Sequence, residues 1–141
     1  MSNERTGRCM CGAVTYSASG VSSEATVCHC DMCRRWSSGM LFAVSCEGVS
    51  FEDESALGVV DSSAWAQRGF CTKCGTGLFY RITAEGPMKG VTSVTLGTLD
   101  DPTGLTLVKE WFSDKRPDVY ELAGDRECVT EAQVLAMFGG G

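Results

Sequence analysis

Seven of the chain's nine cysteines stand in three clusters: Cys9-Met10-Cys11, Cys28-His29-Cys30-Asp31-Met32-Cys33 and Cys71-Thr72-Lys73-Cys74. Cysteines two or three residues apart suit zinc, because an extended segment or a tight turn brings such sulfurs to a common point. Seven thiolates do not divide into two closed four-sulfur sites. They divide into four and three, and a zinc with three protein ligands keeps a corner free for chemistry.

The four-ligand set joins the first and third clusters. Side chains two apart on a strand share a face, so Cys9 and Cys11 are expected to point the same way. Cys71-Thr72-Lys73-Cys74-Gly75 reads as a knuckle at a strand end, with Gly75 free to take the positive φ such a turn needs. A tetrahedral structural zinc on Cys9, Cys11, Cys71 and Cys74 would tie the N-terminal strand to the middle of the chain and make folding depend on metal. The rival reading is a redox dithiol of Cys71 and Cys74. That motif normally opens a helix in a βαβ unit, whereas here β-like runs flank it.

The three-ligand set is Cys28, Cys30 and Cys33. Cys28 and Cys30 share a face if the segment is extended, which sends His29 to the other side as a hydrogen-bonded structural group or a partner of the ligands. A turn or helix start after Cys30 brings Cys33 back beside them. Arg34 and Arg35 follow at once. They read either as a solvated helix face or as anchors for an anionic substrate, since guanidinium matches carboxylate bidentately. They also favour the thiolate of Cys33. The alternative is a closed second site, with Cys46 or Asp31 as fourth ligand or Cys28 belonging elsewhere. Cys46 otherwise ends an apolar strand and reads as core filler. Cys128 is a lone thiol with no assigned role. Lys115, Arg116 and Tyr120 read as a solvated edge or as contacts for a peptide-like substrate.

The elements that must position these residues are short. Seventeen glycines and few 3.6-period segments point to strands at Val14–Ser17, Leu41–Ser45, Val49–Glu52, Trp65–Cys71, Gly77–Thr83, Ser93–Leu96 and Leu105–Phe112, separated by turn signals. This spacing predicts an antiparallel β domain. Two short helices are expected, around Met32–Ser37 and at Glu131–Phe138, where Thr130 and Gln133 form a capping box. Residues 1–141 read as one domain, with the motifs within about 7–112 and a Gly139-Gly140-Gly141 tail that frays. The net charge of −6 disfavours binding to phosphate backbones, so no nucleic-acid partner is expected. No apolar run reaches the length of a membrane span and the N-terminus carries no signal-peptide stretch, which predicts a cytoplasmic chain whose thiols stay reduced. Nothing in the sequence speaks to oligomeric state.

Three segments carry a resemblance. Gly7-Arg8-Cys9-Met10-Cys11-Gly12-Ala13-Val14-Thr15-Tyr16, Cys28-His29-Cys30-Asp31-Met32-Cys33-Arg34-Arg35 and Arg68-Gly69-Phe70-Cys71-Thr72-Lys73-Cys74-Gly75-Thr76-Gly77-Leu78 resemble the glutathione-dependent formaldehyde-activating enzyme family, which includes centromere protein V. Gly97-Thr98-Leu99-Asp100-Asp101-Pro102 resembles a further family segment. The resemblance implies a mainly β, tent-like fold of antiparallel sheets pinned by a Cys₄ zinc, with one or two short helices. It implies two zinc ions per chain, the second, catalytic one on Cys28, Cys30 and Cys33. It implies a carbon–sulfur lyase reaction in which glutathione adds to formaldehyde, with that thiol and an aldehyde as the small-molecule partners. Where the family often continues Ser-Gly shortly after its two arginines, this chain has Trp36-Ser37-Ser38-Gly39. The C-terminal third matches loosely, and fold and ligands transfer better than substrate. Two other classes compete: a non-catalytic zinc-stabilised binding or scaffold module, and a redox enzyme like methionine-sulfoxide reductase. The latter needs a catalytic thiol outside the zinc set, for which only Cys46 and Cys128 remain.

Overall fold

The structure, a computed structural model, describes residues 3–137. The chain is mainly β, arranged as two sheets with two short helices among the described residues. The smaller sheet runs β1 (Arg5–Arg8), β2 (Thr15–Ser19) and β5 (Gly48–Phe51), paired antiparallel in the order β1-β2-β5. The larger holds β3 (Glu24–Cys28), β4 (Leu41–Cys46), β6 (Leu57–Ser63), β7 (Ala66–Cys71), β8 (Gly77–Ile82), β9 (Thr92–Thr95), β10 (Thr106–Trp111) and β11 (Glu127–Val129). Its order is β11-β10-β3-β4-β9-β8-β7-β6. The helices are α1 (Asp31–Ser37) and α2 (Glu131–Met137).

All seven expected strands form, with ends shifted by a residue or two. β1, β3, β6 and β11 were not expected. β1 is Arg-Thr-Gly-Arg, β11 is three residues long, β6 is an edge strand that leaves Val59 and Val60 exposed, and β3 alternates over only five residues, Ala25 and Val27 turning inward. Pairing is antiparallel throughout except around β10, which runs parallel to both β3 and β11. A parallel pair needs a long crossover, and the chain between Cys28 and Thr106 supplies one by building most of the sheet. The capping box forms as expected: the Thr130 amide donates to Gln133 Oε1 at 2.9 Å, and the Gln133 amide to Thr130 Oγ1 at 3.3 Å. The expected helix end at Phe138 and the Gly139–Gly141 tail lie outside the described residues, as do Met1 and Ser2.

One core fills the space between the sheets. Val14, Tyr16 and Ala18 from the small-sheet side meet Val44, Leu78, Phe79 and Val94 of the large one. Tyr16, Phe51 and Phe79 link the two, with ring centroids 6.0 and 5.7 Å apart at tilted angles. A register shift between β7 and β8 leaves Leu78 as the extra residue, and both Leu78 and Phe79 turn inward. Opposite Phe79 stands Gly69, where a Cβ would lie 2.1 Å from the phenyl ring. Among the described residues no helix is long and apolar enough to cross a membrane.

Candidate functional site

Two cysteine groups emerge from this framework. In the first, Cys9 and Cys11 sit in the turn after β1, and Cys71 and Cys74 flank the turn between β7 and β8. Cys9 and Cys11 converge because the chain turns, not because strand faces alternate. The Gly12 amide donates back to the Cys9 carbonyl at 3.2 Å, and Gly12 takes a φ of 82°. The second knuckle repeats the device, with the Gly75 amide on the Cys71 carbonyl at 2.8 Å and a φ of 82° at Gly75. Backbone amides also point at sulfur: Val14 to Cys9 Sγ at 3.3 Å, and Cys74 to Cys71 Sγ at 3.5 Å.

The four sulfurs lie within 4.8 Å of one another, with Cys9–Cys11 at 3.7 Å and Cys11–Cys71 at 3.8 Å. Four sulfurs held tetrahedrally about 2.3 Å from zinc would be about 3.8 Å apart. The spacing therefore fits that ion. The protons are unevenly shared. The Thr76 hydroxyl and amide bring the Cys74 thiol down to about 5. At Cys11 the Ala13 amide favours the thiolate, but burial and the neighbouring sulfurs outweigh it and push the thiol up to about 11.

The second group is Cys28, Cys30 and Cys33, again within 4.8 Å of one another, and among the described residues it gathers no further Cys, His, Asp or Glu donor. Cys28 ends β3, clamped between Leu41 of β4 and Trp111 of β10. Cys30 is the N-cap of α1, and its sulfur accepts from the Cys33 amide at 3.3 Å. Cys33, one turn on, is buried. Side-chain hydrogen bonds from Cys28 and Cys33, aided by the Cys33 and Met32 amides, bring the Cys30 thiol down to about 2. The same contacts and burial push Cys28 far up. The trio thus shares its protons unevenly, and metal binding here must expel those that remain.

His29 faces away, as alternation requires. It is 1% exposed, and its Nε2–H donates to Glu110 Oε1 at 2.8 Å. Arg126 Nη1 donates to the other oxygen of that carboxylate at 2.5 Å. Neither proposed fourth ligand joins the cysteine trio. The Cys46 thiol donates to the Thr92 carbonyl at 3.5 Å within the core. Asp31 is exposed and lies 3.6 Å from Arg34. Cys128 is exposed on β11. Arg34 and Arg35 occupy the last turn of α1. With Ser38, Gly39, Pro117, Val119 and Tyr120 they line a cavity of about 520 Å³ beside the helix. Lys115 lies 3.5 Å from Glu131 and Arg116 3.9 Å from Glu121, outside that cavity.

Sequence reasoning missed Arg68. It is 4% exposed on β7, and its Nη2 donates to Cys33 Sγ at 3.5 Å. Its guanidinium carbon lies 5.0 Å from the ring centres of both Trp36 and Tyr80. The available signal was its place between Ala66 and the cysteine knuckle in a run whose buried positions alternate up to Arg68. An arginine at an inward position asks for an anion.

The profile of the glutathione-dependent formaldehyde-activating enzyme family matches residues 4–115. The chain is 28% identical to an uncharacterized lyase of Schizosaccharomyces pombe over 141 aligned positions, which cover 94% of this chain and 95% of that protein. A crystal structure of a Rhodobacter sphaeroides protein, a structural-genomics target, superposes with a TM-score of 0.56. At 21% identity it covers 67% of this chain and 87% of its own, and shows a shared fold.

Proposed function

The chain belongs to the glutathione-dependent formaldehyde-activating enzyme family, and from that premise we propose that it is a zinc-dependent carbon–sulfur lyase. On this reading residues 1–141 act as one domain holding two zinc ions. Cys9, Cys11, Cys71 and Cys74 bind the structural ion, and Cys28, Cys30 and Cys33 bind the second. The observation that carries the proposal is the convergence of three sulfurs at the start of α1 without a fourth protein donor among the described residues. A zinc ion there supplies one property: it lowers the pKa of a thiol that reaches its open position.

The protein's own residues do the rest. The Cys33 amide donates to Cys30 Sγ at 3.3 Å at the start of the helix, which favours the thiolate form a metal ligand needs. Arg34, Arg35 and Tyr120 line the cavity along α1 and suit the carboxylates of a small peptide thiol such as glutathione. The sulfur of the peptide thiol, its proton released to solvent, attacks the aldehyde carbon. A carbon–sulfur bond forms, the carbonyl π pair moves to oxygen, and that oxygen takes a proton to give the hydroxymethyl adduct. The lyase direction runs these steps backwards.

The test is exchange NMR of formaldehyde with its glutathione adduct. Wild-type protein with two bound zinc ions accelerates the exchange, and Cys30→Ser removes the acceleration while the Cys₄ metal stays. An unchanged rate in that variant would defeat the catalytic assignment and leave a metal-stabilised scaffold.

A further inference from the structure

Arg68 is a buried cation without a carboxylate. No Asp or Glu oxygen among the described residues lies within ion-pair distance of it, and two of its nitrogens, Nε and Nη1, are buried without a hydrogen-bond partner. Its one polar contact among the described residues is Nη2 on Cys33 Sγ at 3.5 Å. Trp36, from the helix that carries Cys33, and Tyr80, from the neighbouring strand β8, each stack a ring on the guanidinium. The cation is thereby fixed in direction as well as place. Burial of an unpaired guanidinium is costly. It persists where an opposite charge stands beside it, and the nearest source of negative charge here is the sulfur trio.

Three thiolates around a divalent cation carry one surplus negative charge. We propose that Arg68 is the built-in counter-charge of the Cys28–Cys30–Cys33 centre, cancelling that surplus so that the site retains its metal and accepts an anionic sulfur as fourth ligand. This rests on the reading of the trio as an open zinc site. Without Arg68 an incoming thiolate meets a negative centre; with it, a neutral one. Arg68 does not touch the thiol. It acts through Cys33 and is a positioning residue. The aromatic faces, which offer no competing acceptor, keep the guanidinium committed to the sulfur.

The experiment uses full-length protein loaded with cobalt, whose sulfur charge-transfer bands report each site. Cys30→Ser identifies the bands that belong to the trio. Arg68→Met removes the charge and keeps an unbranched apolar stem between the rings; Arg68→Lys keeps the charge. Metal affinity is read by competition with a chromogenic chelator, and thiol affinity by titration with glutathione and with 2-mercaptoethanol, which has no carboxylate. The expected result is a loss of about 10–100-fold in metal affinity at the trio for Arg68→Met, a smaller loss for Arg68→Lys, and no change at the four-cysteine site. Both thiols weaken together in Arg68→Met.

Three outcomes overturn the proposal: wild-type metal affinity in Arg68→Met, equal losses in the Met and Lys variants, or weakening of glutathione alone. The last would make Arg68 a carboxylate anchor. Should Arg68→Met fail to fold, Arg68→Gln carries the same expectations. If the wild-type trio binds cobalt but no thiol, the lyase reading fails, while the effect of Arg68 on metal affinity still decides the counter-charge.

Discussion

Glu110 shows how much one side chain can organise. It is buried, accepts from His29 and Arg126, and so joins the residue between two trio cysteines to the C-terminal part of the chain. Burial alone would raise its carboxyl. The hydrogen bonds from Arg126 and His29 outweigh that and hold it below the usual carboxylate range. Replacing Glu110 by Gln strands a buried guanidinium, and unfolding by denaturant should show a loss of about 3–5 kcal/mol at pH 7. A folded value below the unfolded one means that stability is present above the unfolded carboxylate range, about pH 4.3, and is lost as pH falls through the folded value. The gap between wild type and variant is therefore constant near neutrality and closes in acid; a gap that widened in acid would refute the assignment. The two cysteine groups were legible because their spacing is local. Glu110, Arg126 and Arg68 were not, because their partners lie 81, 16 and 35 residues away, and no local period marks such pairs.

Among the elements, the β7–β8 hairpin does the most with the least sequence. It carries the Cys71/Cys74 knuckle, Arg68 and the ring of Tyr80 that covers it. Its two strands approach closely because Gly69 has no side chain opposite Phe79. Gly69→Ala should cost about 1–3 kcal/mol by overpacking and shift the near-ultraviolet circular dichroism of the aromatic core; wild-type stability would show that Phe79 yields freely. Gly75→Ala tests a different element property. At a φ of 82° an alanine costs about 1–2 kcal/mol, read as weaker metal retention at the four-cysteine site with the trio unaffected. Both strands were visible as β-like runs. The four missed strands were not, since β1, β6 and β11 are edges of their sheets and β3 gains its place only through β4 and β10. Propensity carries little information where partners decide.

At the scale of the molecule, the four-cysteine group joins the turn after β1 to the knuckle that ends β7, closing a long loop across both sheets. A chelator strong enough to strip this site should lower the melting temperature far more than the loss of the trio does, because metal binding free energy there is folding free energy. Cys74→Ser should accordingly melt lower than Cys30→Ser; the reverse order would place the structural ion in the wrong cluster. The parallel pairing of β10 beside β3 has a consequence of another kind. A chain leaving the ribosome has all four residues of the first cluster once Cys74 has emerged. Cys28 is already in the open by then, but the strand that flanks it, ending at Trp111, is still unmade. On the proposed two-metal reading, filling of the sites is then ordered by the direction of translation: the four-cysteine seat can close first, and the trio gains its framing strand only after Trp111 has followed.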